Sequence, residues 1–102
     1  MKLTVLERMM AQACLAQEGD ILFLRLRNQM VGKLGLSGEE IEEYGAEVTP
    51  DGQMKWRLDV PQEKDIELSE VEIGTIKDSL IKLNRQAKLT ANHLSLYEKL
   101  LG

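Results

Sequence analysis

The order of the elements between Leu3 and Val60 constrains this chain most. A short apolar run, a helical segment, a tight turn, an acidic helical segment and a β-hairpin pattern follow one another there. This order is typical of a winged helix-turn-helix, in which the second helix of the turn enters the DNA major groove. The sequence therefore predicts an α+β fold with winged-helix-like order.

Length and composition indicate one domain. The chain has 102 residues, of which 43% are hydrophobic and 29% are charged, values that suit a single core. We expect one α+β domain over residues 1–102, with about five helices. The strands should form a small antiparallel hairpin or a three-stranded sheet.

Capping signals mark where the helices begin. Thr4 with Glu7, and Ser37 with Glu40, have the spacing of capping boxes. Gly45 suits the left-handed residue that ends a helix. Together with the apolar periodicity, these signals predict helices over residues 4–17, 20–35, 37–45, 74–88 and from residue 90 onward. The first helix has a wide apolar arc, which places it either at the centre of the core or partly under another subunit.

The hairpin is predicted from a turn and an alternating run. Residues 49–52 read Thr-Pro-Asp-Gly, a strong turn sequence, and residues 54–60 then alternate apolar and polar side chains. Trp56 in this run should anchor the sheet to the helices. Residues 65–73 alternate in two phases, which predicts a third strand with a break near Ser69. A helix that starts near Ser69 is the alternative.

The charge of the third helix argues against DNA. Four carboxylates lie within residues 38–44 without a basic residue among them, and such side chains would be repelled by phosphates. The net charge of −4 also disfavours nucleic acid and anionic membranes as partners. These observations favour a protein partner over DNA.

Two functional classes remain open. The first, which we favour, is a small non-enzymatic interaction, adaptor or regulatory protein that binds a protein partner through the acidic helix and the hairpin. Its candidate contact residues are Glu39, Glu40, Glu42, Glu43, Lys55 and Arg57. A variant of this class assembles into a homo-oligomer through the apolar first helix. The alternative is a winged helix-turn-helix DNA-binding protein that docks through Lys55, Arg57, Arg25 and Arg27.

The sequence offers little for catalysis, metals or cofactors. Cys14 and His93 are the single cysteine and the single histidine, too few for an ordinary zinc site within one chain. The apolar neighbours of Cys14 should raise the pKa of its thiol, and His93 should lie in the first turn of the last helix. We expect neither an enzyme nor a cofactor. With no signal-peptide pattern and no apolar run of about 20 residues, a cytoplasmic location is expected.

Both ends of the sequence resemble those of small phage and prophage proteins of unknown function. The opening residues are Met-Lys-Leu-Thr-Val-Leu-Glu-Arg, and the closing residues are Leu-Thr-Ala-Asn-His-Leu-Ser-Leu-Tyr-Glu-Lys-Leu-Leu-Gly. The resemblance implies a phage-type genetic context, which suits a small binding protein. It transfers no site and no activity to residues of this chain.

Overall fold

Helices dominate the computed structural model, which describes residues 1–57 and 63–102. The described helices are α1 (Val5–Ala13), α2 (Ile21–Leu34), α3 (Gly38–Tyr44), α4 (Glu70–Arg85) and α5 (Leu94–Leu101), and the 3-10 turn Ala91–His93 leads into α5. The described strands are β1 (Lys2–Leu3), β2 (Glu47–Val48), β3 (Met54–Lys55) and β4 (Lys64–Asp65). The α+β class is confirmed.

The strands pair in two separate antiparallel sheets. β2 and β3 form the predicted hairpin, with Glu47 opposite Lys55. β1 pairs instead with β4, with Leu3 opposite Lys64. The described strands therefore do not join into one three-stranded sheet. Of the predicted second hairpin arm, residues 58–60 lie outside the described residues, and Trp56 is half-buried just beyond β3.

The second half of the predicted third strand is wrong, because helix α4 begins at Glu70; of the predicted run only Asp65 lies in a strand, β4. The Oγ of Ser69 accepts a hydrogen bond from the Glu72 amide at 3.2 Å, and the Glu72 carboxylate accepts one from the Ser69 amide at 2.9 Å. This capping box satisfies backbone donors that a helix start would leave unpaired. The alternative that a helix starts near Ser69 is confirmed, and the predicted start at Gly74 is about one turn too late.

The other predicted boundaries hold more closely. Thr4, Asp20 and Ser37 are N-caps, and Gly45 adopts the left-handed conformation with φ of 60°. Helix α1 ends at Ala13 rather than at Gln17. The chain then turns, and the Nε of Arg27 donates to the carbonyl of Ala16 at 3.0 Å, which satisfies an acceptor beyond the helix end.

Helix α1 lies at the centre of the fold, one of its two predicted placements. It contacts α2, α5 and the 3-10 turn that precedes α5. Its buried residue Ala11 joins buried residues of the other elements in one core, which comprises Leu3, Ala11, Leu15, Met30, Leu34, Ile76, Leu80 and Leu96. Within residues 1–57 and 63–102, no helix combines the length and apolar character that crossing a bilayer requires.

Candidate functional site

A buried arginine on α1 organises the surface between α1 and α3. The side chain of Arg8 is only 2% exposed. Its Nε donates to the carbonyl of Leu34 at 2.9 Å and its Nη2 to the carbonyl of Gly35 at 2.5 Å. A cation at these carbonyls satisfies the open acceptors at the end of α2 and opposes the negative end of the helix dipole.

The same guanidinium holds the acidic helix α3. Nη1 of Arg8 lies 2.5 Å from Oε2 of Glu40, and Nη2 lies 3.1 Å from Oε1. Glu40 also accepts a hydrogen bond from the Ser37 amide at 3.1 Å, as the predicted capping box requires. The hydrogen bonds from Arg8 lower the pKa of Glu40 from 4.5 to about 2. Of the predicted contact residues, Glu40 is therefore committed to an ion pair within the chain.

An open groove lies above this ion pair, between α1, the turn after α2, and α3. Its volume is about 210 Å³. It is lined by Val5, Arg8, Met9, Gln12, Leu34, Gly35, Leu36 and Ile41. We call it the α1–α3 groove. Its walls are mostly apolar, and Ile41 on the α3 side remains 44% exposed.

Two carboxylates, Glu39 and Glu42, lie on the exposed face of α3 outside the lining of the α1–α3 groove. Successive residues of an α-helix are separated by about 100° around its axis, so Glu42 lies about 100° from Ile41, whereas Glu39, one turn before Glu42, lies about 160° from Ile41. Both side chains are exposed. Across the described ranges, no cationic side chain lies within ion-pair distance of either carboxylate. We call Glu39 and Glu42 the acidic rim.

Glu43 has a different environment from the acidic rim. It lies on the far flank of α3 from Ile41, where its Oε2 is 3.4 Å from Nζ of Lys64. Both side chains are partly exposed, and such a pair contributes little to stability. It nevertheless reduces the unpaired negative charge on that flank. The structure thus separates the four predicted glutamates into two rim residues, one half-buried partner of Arg8 and one partner of Lys64.

The two predicted basic residues of the hairpin lie at the C-terminal end of α3. Lys55 is exposed and stands opposite Glu47 in the hairpin register, a favourable cross-strand pairing of charges. The amide of Arg57 donates to the carbonyl of Tyr44 at 2.6 Å. The side chain of Arg57 passes Gly45 so closely that a Cβ there would lie 3.2 Å from its Cγ. Neither basic residue lines the α1–α3 groove.

The remaining basic candidates are on α2. Arg25 is exposed, whereas Arg27 is half-buried and bonded to the carbonyl of Ala16. A helix-turn-helix that read DNA would place α3 in the major groove. The outer face of α3 instead presents Glu39 and Glu42. The predicted DNA contacts therefore lie on α2 and the hairpin, not on the helix that would enter the major groove.

Two further buried carboxylates join other elements to the core. Glu7 on α1 accepts a hydrogen bond from Lys99 on α5, and Glu72 on α4 accepts one from Lys33 on α2, at 2.7 and 2.6 Å. Burial alone would raise the pKa of both carboxylates. Hydrogen bonds, chiefly those from Lys99 to Glu7 and from Lys33 to Glu72, outweigh burial and lower each pKa below its ordinary value. These ion pairs stabilise helix packing and lie outside the α1–α3 groove.

The lone cysteine and histidine have local structural roles. Cys14 Sγ donates to the carbonyl of Ala11 at 3.2 Å, and burial raises the pKa of the thiol to about 11, as predicted. Nδ1 of His93 accepts a hydrogen bond from the Thr90 amide at 2.9 Å, in the first turn leading to the last helix. Among the residues that the structure describes, no group of three or more His, Cys, Asp and Glu side chains has the arrangement of a metal site.

The α1 side of the groove was not predicted from the sequence. Arg8, Met9 and Gln12 supply that wall, and Leu36 supplies part of the turn. One signal was available, since Arg8 stands one turn after Val5, on an otherwise apolar helical face. A charge on a buried face requires a partner. Which carboxylate serves as that partner depends on the tertiary fold.

Comparison with known proteins identifies no matching family model, no similar curated protein and no similar solved structure.

Proposed function

We propose that this protein is a non-enzymatic interaction module whose α1–α3 groove binds a basic, amphipathic segment of a partner protein. The observation that carries the proposal is the apolar groove on the same short helix as Glu39 and Glu42, two exposed carboxylates that have no ion-pair partner among residues 1–57 and 63–102. A segment with one or two large apolar side chains flanked by Lys or Arg matches both features. Basic residues would pair with Glu39 and Glu42, and an apolar side chain would enter next to Ile41.

The energetics of such a contact favour a transient complex. Full burial of one large apolar side chain contributes about 1.5–3 kcal/mol, and each exposed ion pair about 0.2–1 kcal/mol. The Arg8–Glu40 ion pair supports binding indirectly, since it fixes α3 relative to α1 before the partner arrives. A preformed groove reduces the ordering cost of association.

The winged-helix DNA-binding function has weaker support. Its best residues, Arg25 and Lys55, are exposed, but they belong to α2 and the hairpin rather than to the outer face of α3. Self-assembly through α1 is also less well supported, because α1 packs against α2 and α5 within the chain and four of its nine residues are buried there.

Fluorescence anisotropy can separate these functions. The probe is a short labelled peptide that forms a helix with a leucine stripe and lysines beside it, and its control is a scrambled peptide of the same composition. The proposal predicts that the amphipathic peptide binds at least tenfold more tightly than the scrambled one, about 1.4 kcal/mol. Equal binding of the two peptides would contradict the proposal, because only general charge attraction would then be acting.

In the same experiment, a labelled mixed-sequence DNA duplex tests the DNA-binding alternative. The proposal predicts no binding of the duplex at low salt. Salt-sensitive binding in roughly the 10⁻⁴–10⁻⁶ M range would instead support the DNA-binding alternative. Variants of Arg25 and Lys55 would then identify the DNA contacts.

A further inference from the structure

A second pocket lies at the corner between α4 and α5. Helix α4 ends at Arg85, and Ala87 then adopts a left-handed conformation with φ of 54°, which reverses the chain. The 3-10 turn Ala91–His93 follows and leads into α5. An open pocket of about 330 Å³ lies at this corner. None of the residues that line it also lines the α1–α3 groove.

The walls of this corner pocket are apolar. Leu89 and Leu94 contribute aliphatic side chains, and Tyr97 contributes an aromatic ring. Leu94 is 57% exposed, so part of its side chain is open to a ligand. None of the described residues that line the pocket carries a formal charge when His93 is neutral. An apolar lining without a charge favours a neutral ligand over an ionic one.

The few polar groups at the corner pocket include hydrogen-bond donors. Because Nδ1 of His93 accepts from the Thr90 amide, the proton of the neutral ring resides on Nε2, which is a donor. The described residues show no acceptor bonded to that nitrogen. The side-chain amide of Asn84 is the second donor, and its contact with the Tyr97 hydroxyl is long at 3.5 Å.

We propose that the corner pocket binds a small, neutral aromatic molecule that carries a hydrogen-bond acceptor at its edge. The ring packs between Leu94 and Tyr97, and the acceptor receives hydrogen bonds from Asn84 and His93. A volume near 330 Å³ is at the lower end for ligand pockets, which suits a molecule of one or two rings.

Titration of ¹⁵N-labelled protein with acetophenone, followed by ¹H–¹⁵N correlation spectra, tests this proposal. Acetophenone is neutral and aromatic, and it carries one carbonyl acceptor. We expect saturable shifts confined to amides of residues 84–97, with a Kd on the order of 1 mM for a molecule of so few atoms. Benzoate, its charged counterpart, should bind at least about tenfold more weakly. Scattered shifts, no shift, or equal binding of benzoate would overturn the proposal.

Three variants test whether acetophenone binds in the corner pocket. Leu94→Asp introduces a charge into the pocket wall and should abolish the shifts. Leu22→Asp makes the same substitution at a residue that is 71% exposed on α2, and should bind as the wild type does. Asn84→Leu removes one donor and should weaken binding up to about tenfold. If Leu94→Asp binds acetophenone as tightly as Leu22→Asp does, the pocket is not the site.

Discussion

Arg8 and Glu40 form a two-pronged ion pair between α1 and α3, with N–O distances of 2.5 and 3.1 Å. Arg8 also bonds the last carbonyls of α2, so one side chain fixes three helices. A buried ion pair adds little over apolar packing of the same volume, but it is costly to break from one side. We therefore interpret this ion pair as the element that sets the orientation of α3 and, with it, the shape of the α1–α3 groove.

Glu40→Gln should destabilise the protein by about 1.5–3 kcal/mol, because the buried guanidinium then loses its counter-charge. Urea denaturation at neutral pH measures the change. Glu39→Gln is the matched control on the exposed face of the same helix, and its effect should stay within about 0.5 kcal/mol. Equal effects of the two substitutions would contradict the assigned role of Glu40.

The stability of the protein should depend on pH through Glu40. Its pKa is about 2 in the folded protein against an ordinary value of 4.5, so the carboxylate is favoured by folding. That stabilisation, about 3 kcal/mol, is fully present above the ordinary pKa and is lost as the pH falls toward 2. Urea midpoints at several pH values should therefore fall more steeply for the wild type than for Glu40→Gln. Parallel profiles would show that Glu40 does not titrate as assigned.

Cys14 should react slowly with thiol reagents. Burial raises the pKa of its thiol from 9.0 to about 11, which lowers the thiolate fraction at neutral pH about 100-fold. Because a thiolate of higher pKa is also more nucleophilic, the rate of reaction with a disulfide reagent should be at least about tenfold lower in the folded than in the urea-unfolded protein. A folded-state rate close to the unfolded rate would show that Cys14 is exposed and activated.

Reversal of the acidic rim should weaken the binding of a basic amphipathic peptide. In the double variant Glu39→Lys/Glu42→Lys, two attractive contacts become repulsive, and we expect at least about a tenfold loss of affinity at low salt. Salt should reduce this difference, since exposed charges are screened. Lys55→Glu, on the hairpin outside the groove, is the control, and it should leave the affinity within about threefold of the wild type.

Local sequence signals predicted the parts of the fold that depend on neighbouring residues. The Ser37–Glu40 capping box and the left-handed Gly45 both appear as expected, because each needs only residues within a few positions. Ser69 and Glu72 have the spacing of a capping box too, but the alternating pattern around them also matched a strand. In the structure the capping box forms, and this segment begins helix α4.

The α1–α3 groove could not be predicted in the same way. Arg8 and Glu40 are 32 residues apart in sequence, and their pairing exists only once α1, α2 and α3 have packed. The sequence indicated the acidic helix and marked Glu40 as a capping residue, but it did not show which of the four glutamates have ion-pair partners. Burial and ion pairing distinguish them, since Glu40 and Glu43 have cationic partners while Glu39 and Glu42 have none among the described residues.

The most direct test of the proposed binding site is a ¹H–¹⁵N correlation titration of the labelled protein with the basic amphipathic peptide. The proposal predicts that the shifted amides cluster at Met9, Gln12, Leu36 and Ile41, with Glu39 and Glu42 beside them. It also predicts that Ile41→Asp, a substitution at a side chain that is 44% exposed, removes these shifts while the spectrum of the free protein remains that of a folded chain. Shifts centred on Arg25 and the hairpin, or shifts that persist unchanged in Ile41→Asp, would contradict the account.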